Sequence, residues 1–315
     1  MPALGALPAR FRRPRLLIIG CGDVGVRAIR CIPKRGAGPA WAVMALTSTP
    51  SRCSDLRALG VRPLVGNLDE PASLLRLAGL ATHVLHLAPP ATVGVVDQRT
   101  RGLLRALRRR GELRQVVYGS TTGVYGDCQG ARVSETDAVN PQTDRARRRV
   151  DAEATIASRG RAVPTPFTIL RIPGIYAPDR ENGTPEARLQ RGTPIPDPAH
   201  DVFTNHIHAD DLANACWQAL QGRARHQVVN VNDDSEMRMG DYISHAASVY
   251  GLPVPPRLPL EALKAALTPM ALSFMQESRR IDNTRMKIRL GVRLRYPTVR
   301  EGLTQRPQPS AASGR

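Results

Sequence analysis

Short apolar runs alternate with amphipathic segments along the first 178 residues of the chain. Runs such as RLLIIG at 15–20 end at glycine or polar turns, which is typical of buried parallel strands. The intervening segments have the 3.6-residue spacing of helices, and the segment at 97–111 ends at glycine. The alternation predicts βαβ units in an α/β fold, a Rossmann-type doubly wound parallel sheet. The predicted strands, some with the loop that follows, lie within 15–20, 42–48, 61–68, 81–90, 114–126 and 166–178, and the predicted helices lie within 21–32, 54–60, 71–79, 97–111 and 144–160.

The pattern loosens after residue 178. A Pro- and Gly-rich stretch is followed by a predicted helix over 206–220, a strand-like piece and two short helices within 239–268. We predict a Rossmann domain and a smaller, interleaved C-terminal substrate region. The Rossmann domain covers 15–178 with 205–235 returning to it, the substrate region covers 179–204 and 236–303, and a basic arm at 1–14 and a tail at 304–315 are expected to be disordered.

The first predicted strand leads into GCGDVG, which fits the pattern G-x-G-x-x-G. In this spacing Gly20 permits a tight turn, Gly22 lets a pyrophosphate approach the backbone, and Gly25 lets helix and strand pack closely. The helix N-terminus at Asp23 and Val24 then offers amide donors to the phosphates. A purely structural glycine turn is the alternative. The position between a buried strand and a helix favours dinucleotide binding.

The end of the second strand indicates which dinucleotide is preferred. An acidic residue there binds the ribose 2′-hydroxyl of NAD, but this chain has TSTPSR at 47–52. The hydroxyl of Ser48 and the guanidinium of Arg52 suit a 2′-phosphate, so we expect NADP rather than NAD. A solvated loop role for Arg52 is the alternative. Ala88 and Pro89 lie at the edge of the fourth strand, where the cofactor's ribose and pyrophosphate should pass.

The charge balance invites a nucleic-acid interpretation, because 45 basic and 27 acidic residues give a net charge of +18. Only three of the basic residues are lysines, and the arginines are scattered over helices and termini with few aromatic neighbours. We therefore expect no nucleic-acid partner. No apolar run has the length of a membrane span. Five cysteines without a CxxC pair predict a reducing location, the cytoplasm.

Three later segments carry a specific resemblance. YGSTTGVYGD at 118–127, RIPGIYAPDR at 171–180 and NHIHADDLANA at 205–215 resemble motifs of extended short-chain dehydrogenases, the NAD-dependent epimerase/dehydratase family. The resemblance covers residues 15–235 and extends to the YP-x-x-REGL stretch at 296–303. The G-x-G-x-x-G spacing is similar to an atypical, YeeZ-like subgroup. The family implies a small-molecule substrate, no membrane association and a possible homodimer through the helices flanking the catalytic segment.

The resemblance implies a catalytic set of Ser or Thr, Tyr and Lys, the last two spaced YxxxK on a helix. Tyrosinate exchanges the alcohol proton, lysine lowers the tyrosine pKa and holds the nicotinamide ribose, and the hydroxyl binds the substrate oxygen. Counting four back from Tyr125 puts the hydroxyl residue at Thr121, with Ser120 beside it. Ser120 and Pro173, the latter in the second motif, are expected to contact the cofactor.

The helix that should carry YxxxK departs from the family pattern. Its sequence is TDRARRRVDAEA at 143–154, with Pro141 at the expected turn and Glu153 at the expected glutamate. This alignment places Arg149 at the lysine and Arg145 at the tyrosine. Arg149 can still offer charge and hydrogen bonds to the ribose. Arg145 cannot transfer protons, because an arginine stays protonated in proteins.

The missing tyrosine leaves two possibilities open. Tyr125, Asp127 or a group of the substrate does the proton work, or the protein binds a dinucleotide without turnover. A packing role is the alternative for Tyr125. The first possibility predicts an NAD(P)-dependent oxidoreductase or epimerase acting on a nucleotide-sugar-like or phosphorylated substrate. The second predicts a non-catalytic NADP-binding sensor or scaffold.

Several polar residues are further candidates. Asp69, after the third strand, either contacts adenine, as the family implies, or caps the next helix. The resemblance points to the segment after strand six and the C-terminal part for substrate contacts. Its candidates there are Arg180, Asn182 and Arg279, each of which is alternatively a surface residue. We expect no metal site at the H-x-H of residues 206–208, because the family has a helix start there, capped by Asp210 or Asp211.

Overall fold

Seven parallel strands form one central sheet in the computed structural model, which describes residues 13–36, 38–107, 113–162, 165–180, 183–268, 272 and 275–304. The spatial order is β7-β6-β5-β4-β1-β2-β3, and all neighbouring pairs are parallel. This order reverses direction between β1 and β4, which is where ligands bind in open α/β sheets. The strands are β1 Arg15–Ile19, β2 Ala42–Thr47, β3 Arg62–Val65, β4 His83–His86, β5 Gln115–Thr121, β6 Phe167–Ile172 and β7 Gln227–Asn230.

Helices connect the strands and build the C-terminal region. They are α1 Asp23–Arg30, α2 Cys53–Ala58, α3 Gln98–Leu107, α4 Asp144–Ala162, α5 Glu186–Gln190, α6 Ala209–Leu220, α7 Met239–Tyr250, α8 Leu260–Ala266 and α9 Val299–Thr304. Tighter 3₁₀ turns occupy Pro50–Arg52, Pro71–Leu77 and Thr122–Tyr125, and a π-helical turn occupies Met286–Leu290. Two-residue strand pairs join 34–35 to 38–39, 132–133 to 280–281, 195–196 to 257–258 and 203–204 to 237–238.

The core lies in two layers, one on each face of the sheet. Leu16 and Ile18 of β1 belong to a cluster with residues of α1 and α6, whereas Leu17 and Ile19 pack with residues of α3 and α4. Strands buried on both faces read as continuous apolar runs, because successive side chains point to opposite sides. The sheet and its two helical layers confirm the predicted doubly wound fold.

A third cluster gives the C-terminal region its own packing. Tyr242 and Ile243 of α7 pack with Leu189, Ile195 and Val299. The proposed division into a Rossmann domain and a substrate region stays a prediction. The arm at 1–14 and the tail at 304–315 fall almost wholly outside the described residues.

Two predicted elements differ in the structure. Residues 71–79, predicted as a helix, form the 3₁₀ turn Pro71–Leu77. The helix predicted over 206–220 begins at Ala209, because His206–His208 extends and pairs in parallel with Gly174–Tyr176. Pairing between distant segments overrides local helical spacing here.

Candidate functional site

The glycine loop lies at the reversal point of the sheet. Gly20 has φ +81°, and a Cβ there would stand 2.5 Å from the backbone nitrogen of Ala88, so glycine is required for both reasons. A Cβ on Gly25 would lie 3.3 Å from the Cys21 sulfur, in the close helix–strand contact. A Cβ on Gly22 would meet no atom within 4 Å. The backbone at Gly22 therefore borders open space at the start of α1, which fits an approaching pyrophosphate.

An ion-pair cluster fixes the first turn of α1. Buried Arg27 binds Asp23 at 3.0 Å, Asp179 at 2.7 Å and Asp210 at 2.5 Å. Burial disfavours the charge of Arg27, but the hydrogen bonds that it donates to the three carboxylates raise its pKa overall. Arg180, expected to bind substrate, lies 3.3 Å from Asp23 and thus beside the glycine loop. Sequence reasoning missed Arg27, although its i,i+4 spacing from Asp23 was a local signal.

The end of β2 carries groups suited to a 2′-phosphate. Ser48 and Arg52 are exposed, and the structure gives the Arg52 guanidinium no partner among the described residues. Burial raises the pKa of the Cys21 thiol, while the charge of Arg52 acts in the opposite direction. Arg52 therefore lies within electrostatic reach of the glycine loop. This placement agrees with an NADP preference, which stays a prediction.

Asp69 is held by an arginine from α3. Arg99 binds its two carboxylate oxygens at 2.7 and 2.5 Å and also donates to the Pro89 carbonyl at 3.2 Å. The hydrogen bond from Arg99 lowers the pKa of Asp69. The 3₁₀ turn Pro71–Leu77 has Glu70, not Asp69, as its N-cap, so the capping alternative is wrong. A cavity of about 280 Å³ beside this pair is lined by Leu68, Asp69, Pro71, Leu75, Gln98, Arg99, Gly102, Arg105 and Ala106.

A buried ion pair joins α4 to the ends of β5 and β6. Glu153 accepts hydrogen bonds from Ser120 Oγ at 2.5 Å and from Arg171 Nη2 at 2.7 Å. Ser120 is buried and its hydroxyl points toward Glu153, and its expected role in cofactor binding stays a prediction. Pro173 follows β6 and is half-buried. The contact of Glu153 supports the alignment of α4 with the family's catalytic helix.

The two arginines at the positions of the YxxxK pair lie in different surroundings. Arg149 is buried, and its Nη1 donates to the Tyr118 hydroxyl at 2.9 Å and to the Gly119 carbonyl at 2.7 Å. Burial raises the pKa of Tyr118 to about 12. Arg145 is exposed, and no hydrogen bond or ion pair holds its side chain within the described part of the chain. Thr121, half-buried at the end of β5, accepts from the Gly123 amide at 3.2 Å.

The two candidates for a replacement proton donor differ in exposure. Tyr125 is 1% exposed and donates to Asn230 Oδ1 at 2.8 Å, and burial raises its pKa. Its burial and its bond to Asn230 favour the packing role, and its assignment as an acid stays a prediction. Asp127 is exposed, and its Oδ1 accepts from the Ser278 and Gln129 amides at 2.8 and 3.1 Å.

The remaining candidates are engaged in the fold or lie outside the described residues. Arg279 donates to the Gly126 carbonyl and to Glu277, both at 2.7 Å. Asn182 is outside the described residues. The N-cap of α6 is His208, whose Nδ1 accepts from the Asp210 amide. Asp211 instead accepts from the Arg295 and Tyr296 amides. The capping assignment to the aspartates is therefore wrong.

The described residues contain no group of three or more His, Cys, Asp or Glu side chains arranged to hold a metal ion. Among the same residues, no helix combines the length and apolarity needed to cross a membrane.

Residues 16–232 match the model of the NAD dependent epimerase/dehydratase family. The chain belongs to this family. It is 28% identical over 185 residues to Protein YeeZ of Escherichia coli strain K12, covering 58% of this chain and 59% of that protein. It is 29% identical over 144 residues to a 3-diazoavenalumate denitrifying reductase of Streptomyces sp, covering 43% and 45%. The matched region thus spans about three fifths or less of these curated relatives' length.

Solved structures share the fold of this chain. A functionally unknown conserved protein from Silicibacter pomeroyi DSS is 32% identical with a TM-score of 0.76, over 92% of this chain and 97% of that one. UDP-glucose 4-epimerase from Thermotoga maritima, solved with UDP-glucose, has a TM-score of 0.74 over 92% and 96% of the two chains. At 18% identity, that second likeness concerns the fold alone.

Proposed function

We propose that the chain binds NADP in the crevice between β1 and β4 and acts as an oxidoreductase or epimerase on a nucleotide-sugar-like or phosphorylated substrate. The observation that carries the proposal is the glycine loop, where Gly22 borders open space at the start of a helix at the sheet's reversal point. The nucleotide-sugar class comes from the solved relatives, several of which bind UDP-glucose or are named for UDP-sugars. Membership of an NAD-dependent family supports the cofactor class.

Different residues at the crevice would bind different parts of the cofactor and the substrate. The α1 N-terminus and the Gly22 backbone would hold the pyrophosphate, and Arg52 with Ser48 would hold the 2′-phosphate. When bound, the dinucleotide supplies a hydride acceptor or donor. Thr121, at the end of β5, would hydrogen-bond the substrate oxygen, since its own hydroxyl hydrogen is not committed by the Gly123 contact. Arg149, already bound to Tyr118 and Gly119, would add fixed positive charge near the same end of the sheet.

Turnover with a substrate panel tests the proposal. Wild-type protein is incubated with NADPH or NADP and with sugar nucleotides and sugar phosphates. Nicotinamide absorbance reports net redox change, and product analysis by NMR detects epimers formed without it. Thr121→Val should abolish turnover while Thr121→Ser keeps it, because only the serine retains a hydroxyl. Thr136→Val removes an exposed hydroxyl in a different loop and should change nothing.

A non-catalytic NADP-binding sensor or scaffold is the second candidate. The observation that favours it is the burial of Tyr125 against Asn230, together with the motif alignment that puts Arg145 at the family's tyrosine position. Tight NADPH binding with no turnover of any panel member would favour this candidate. Turnover that depends on Thr121 would exclude it.

A further inference from the structure

The first half of α4 carries three arginines that pair with no carboxylate among the described residues. Arg145, Arg148 and Arg149 are spaced i, i+3 and i+4, so their side chains lie on neighbouring parts of one helical face. Arg148 and Arg149 are only 6% and 7% exposed, and the Nε atom of each is buried without a hydrogen-bond partner. Buried charges of this kind are costly unless they are paired.

The carboxylates that could neutralise these arginines are already committed elsewhere. Of the three acidic residues on α4, Asp144 pairs with Arg147 at 2.7 Å, Asp151 with Arg101 at 2.5 Å and Glu153 with Arg171 at 2.7 Å. Facing the helix, the buried carboxylate of Asp97 accepts from the amide and hydroxyl of Thr100. Among the described residues, none of these carboxylates forms an ion pair with Arg145, Arg148 or Arg149.

Two hydrogen bonds place this arginine face near the C-terminal ends of strands β4 and β5. Arg149 donates to the carbonyl of Gly119, two residues before Thr121. Arg148 donates to the carbonyl of Gly94, in the loop that follows β4. Arg145 lies one turn nearer the helix start and stays exposed to a ligand. Desolvation of the guanidinium lowers the pKa of Arg145, and repulsion from Arg149 and Arg148 lowers it further. A bound negative charge would offset that repulsion.

We propose that Arg145, Arg148 and Arg149 form an anion-binding site that holds a carboxylate or phosphate group of the substrate beside Thr121. The guanidinium forks offer paired N–H donors that match the oxygens of either group. The inference rests on the proposed function in one respect, that the anion belongs to the substrate of the crevice. It assigns the arginine at the family's tyrosine position a binding role in place of proton transfer.

The test measures anion binding by two variants of the same helix. Inorganic phosphate and acetate are titrated separately, at ionic strength held constant with chloride, and dissociation constants are taken from the shift of the thermal unfolding midpoint. Arg145→Gln removes the accessible arginine. Arg147→Gln is the matched control, because Arg147 is exposed and already paired with Asp144.

The wild type should show saturable stabilisation by at least one of the two anions. Arg145→Gln should weaken it at least about tenfold, since a charge-assisted hydrogen bond is lost. Arg147→Gln should change it by less than about twofold. Binding of phosphate alone would indicate a phosphorylated substrate, and binding of acetate alone a carboxylate substrate. No saturable binding of either anion, or equal weakening in both variants, would overturn the inference.

A parallel NADPH titration separates this inference from the proposed function. Arg145-dependent anion binding without NADPH binding would leave the site standing and remove the oxidoreductase proposal. NADPH binding without Arg145-dependent anion binding would leave the oxidoreductase proposal standing and overturn the anion-binding site. An Arg145→Lys variant should bind the anion with intermediate affinity, because it keeps the charge and loses the planar fork.

Discussion

The buried Glu153–Arg171 pair offers the sharpest test of how α4 is anchored to the sheet. Replacing Glu153 by Gln keeps the side chain's shape and its ability to accept from Ser120 Oγ. It removes the negative charge that faces Arg171, whose Nε and Nη2 approach the carboxylate at 3.2 and 2.7 Å. Arg171 would then remain a buried cation, with the Tyr125 ring 4.8 Å away as its main compensation.

The size of the effect follows from burial. The side chains of Glu153 and Arg171 are 9% and 7% exposed, so water cannot replace the lost partner. Breaking a buried pair on one side costs about 3–5 kcal/mol of unfolding free energy. On the same helix, Asp144 pairs with Arg147 while 60% and 48% of the two side chains stay exposed, and removing such a pair costs about 0–1 kcal/mol.

Urea unfolding followed by circular dichroism measures both variants. Glu153→Gln should lose about 3–5 kcal/mol, and Asp144→Asn less than about 1 kcal/mol. The double variant Glu153→Leu with Arg171→Leu should be more stable than Glu153→Gln, because no unpaired charge remains. A loss below about 1 kcal/mol for Glu153→Gln would refute the reasoning that this pair is buried and intact.

Three further predictions follow from individual side chains. Arg52→Ala should weaken NADPH binding about tenfold, measured by calorimetry, without affecting NADH binding. Arg57 is an exposed arginine of α2, and Arg57→Ala should affect the binding of neither cofactor. Equal effects of Arg52→Ala on both cofactors would contradict the 2′-phosphate assignment. Tyr125→Phe should leave turnover and NADPH binding unchanged and cost about 1–2 kcal/mol of stability, because a buried acceptor loses its donor; loss of turnover in a folded variant would support Tyr125 as the acid. Burial lowers the pKa of His206 to about 3. The free energy of unfolding should therefore fall as pH drops from about 6.5 toward 3, by about 2 kcal/mol at pH 5 from this residue. If the urea midpoints of wild type and His206→Gln change equally between pH 7 and pH 5, the histidine is not the cause.

The sheet could be predicted because its signals are local. Strands such as β1 and β5 are apolar runs, since side chains on both faces are buried, and the glycine loop is a contiguous motif. The short strand His206–His208 could not be predicted, because it exists only through pairing with Gly174–Tyr176. Local spacing alone favoured a helix there.

The sequence indicated the motifs of the site, but few of the contacts that its side chains make. The motif alignment put Glu153 on the catalytic helix, and its contact with Arg171 supports that alignment. The partners of Arg27 include Asp210, which is 183 residues away, so no local pattern indicates the pair. Arg180 was assigned to substrate because the sequence cannot show that its loop returns to the glycine turn. Tyr125 matched a motif, but its burial against Asn230 depends on β7.

Calorimetric titration of the protein with NADPH and NADH, with Gly22→Val in parallel, tests the central claim most directly. A Cβ at Gly22 meets no protein atom within 4 Å and φ is −85°, so the variant should fold, which thermal unfolding checks. We expect selective binding of NADPH by the wild type and none by the folded variant, because the side chain fills the space that the pyrophosphate needs. No binding of either cofactor by the wild type, or unchanged binding by Gly22→Val, would contradict dinucleotide binding at this loop.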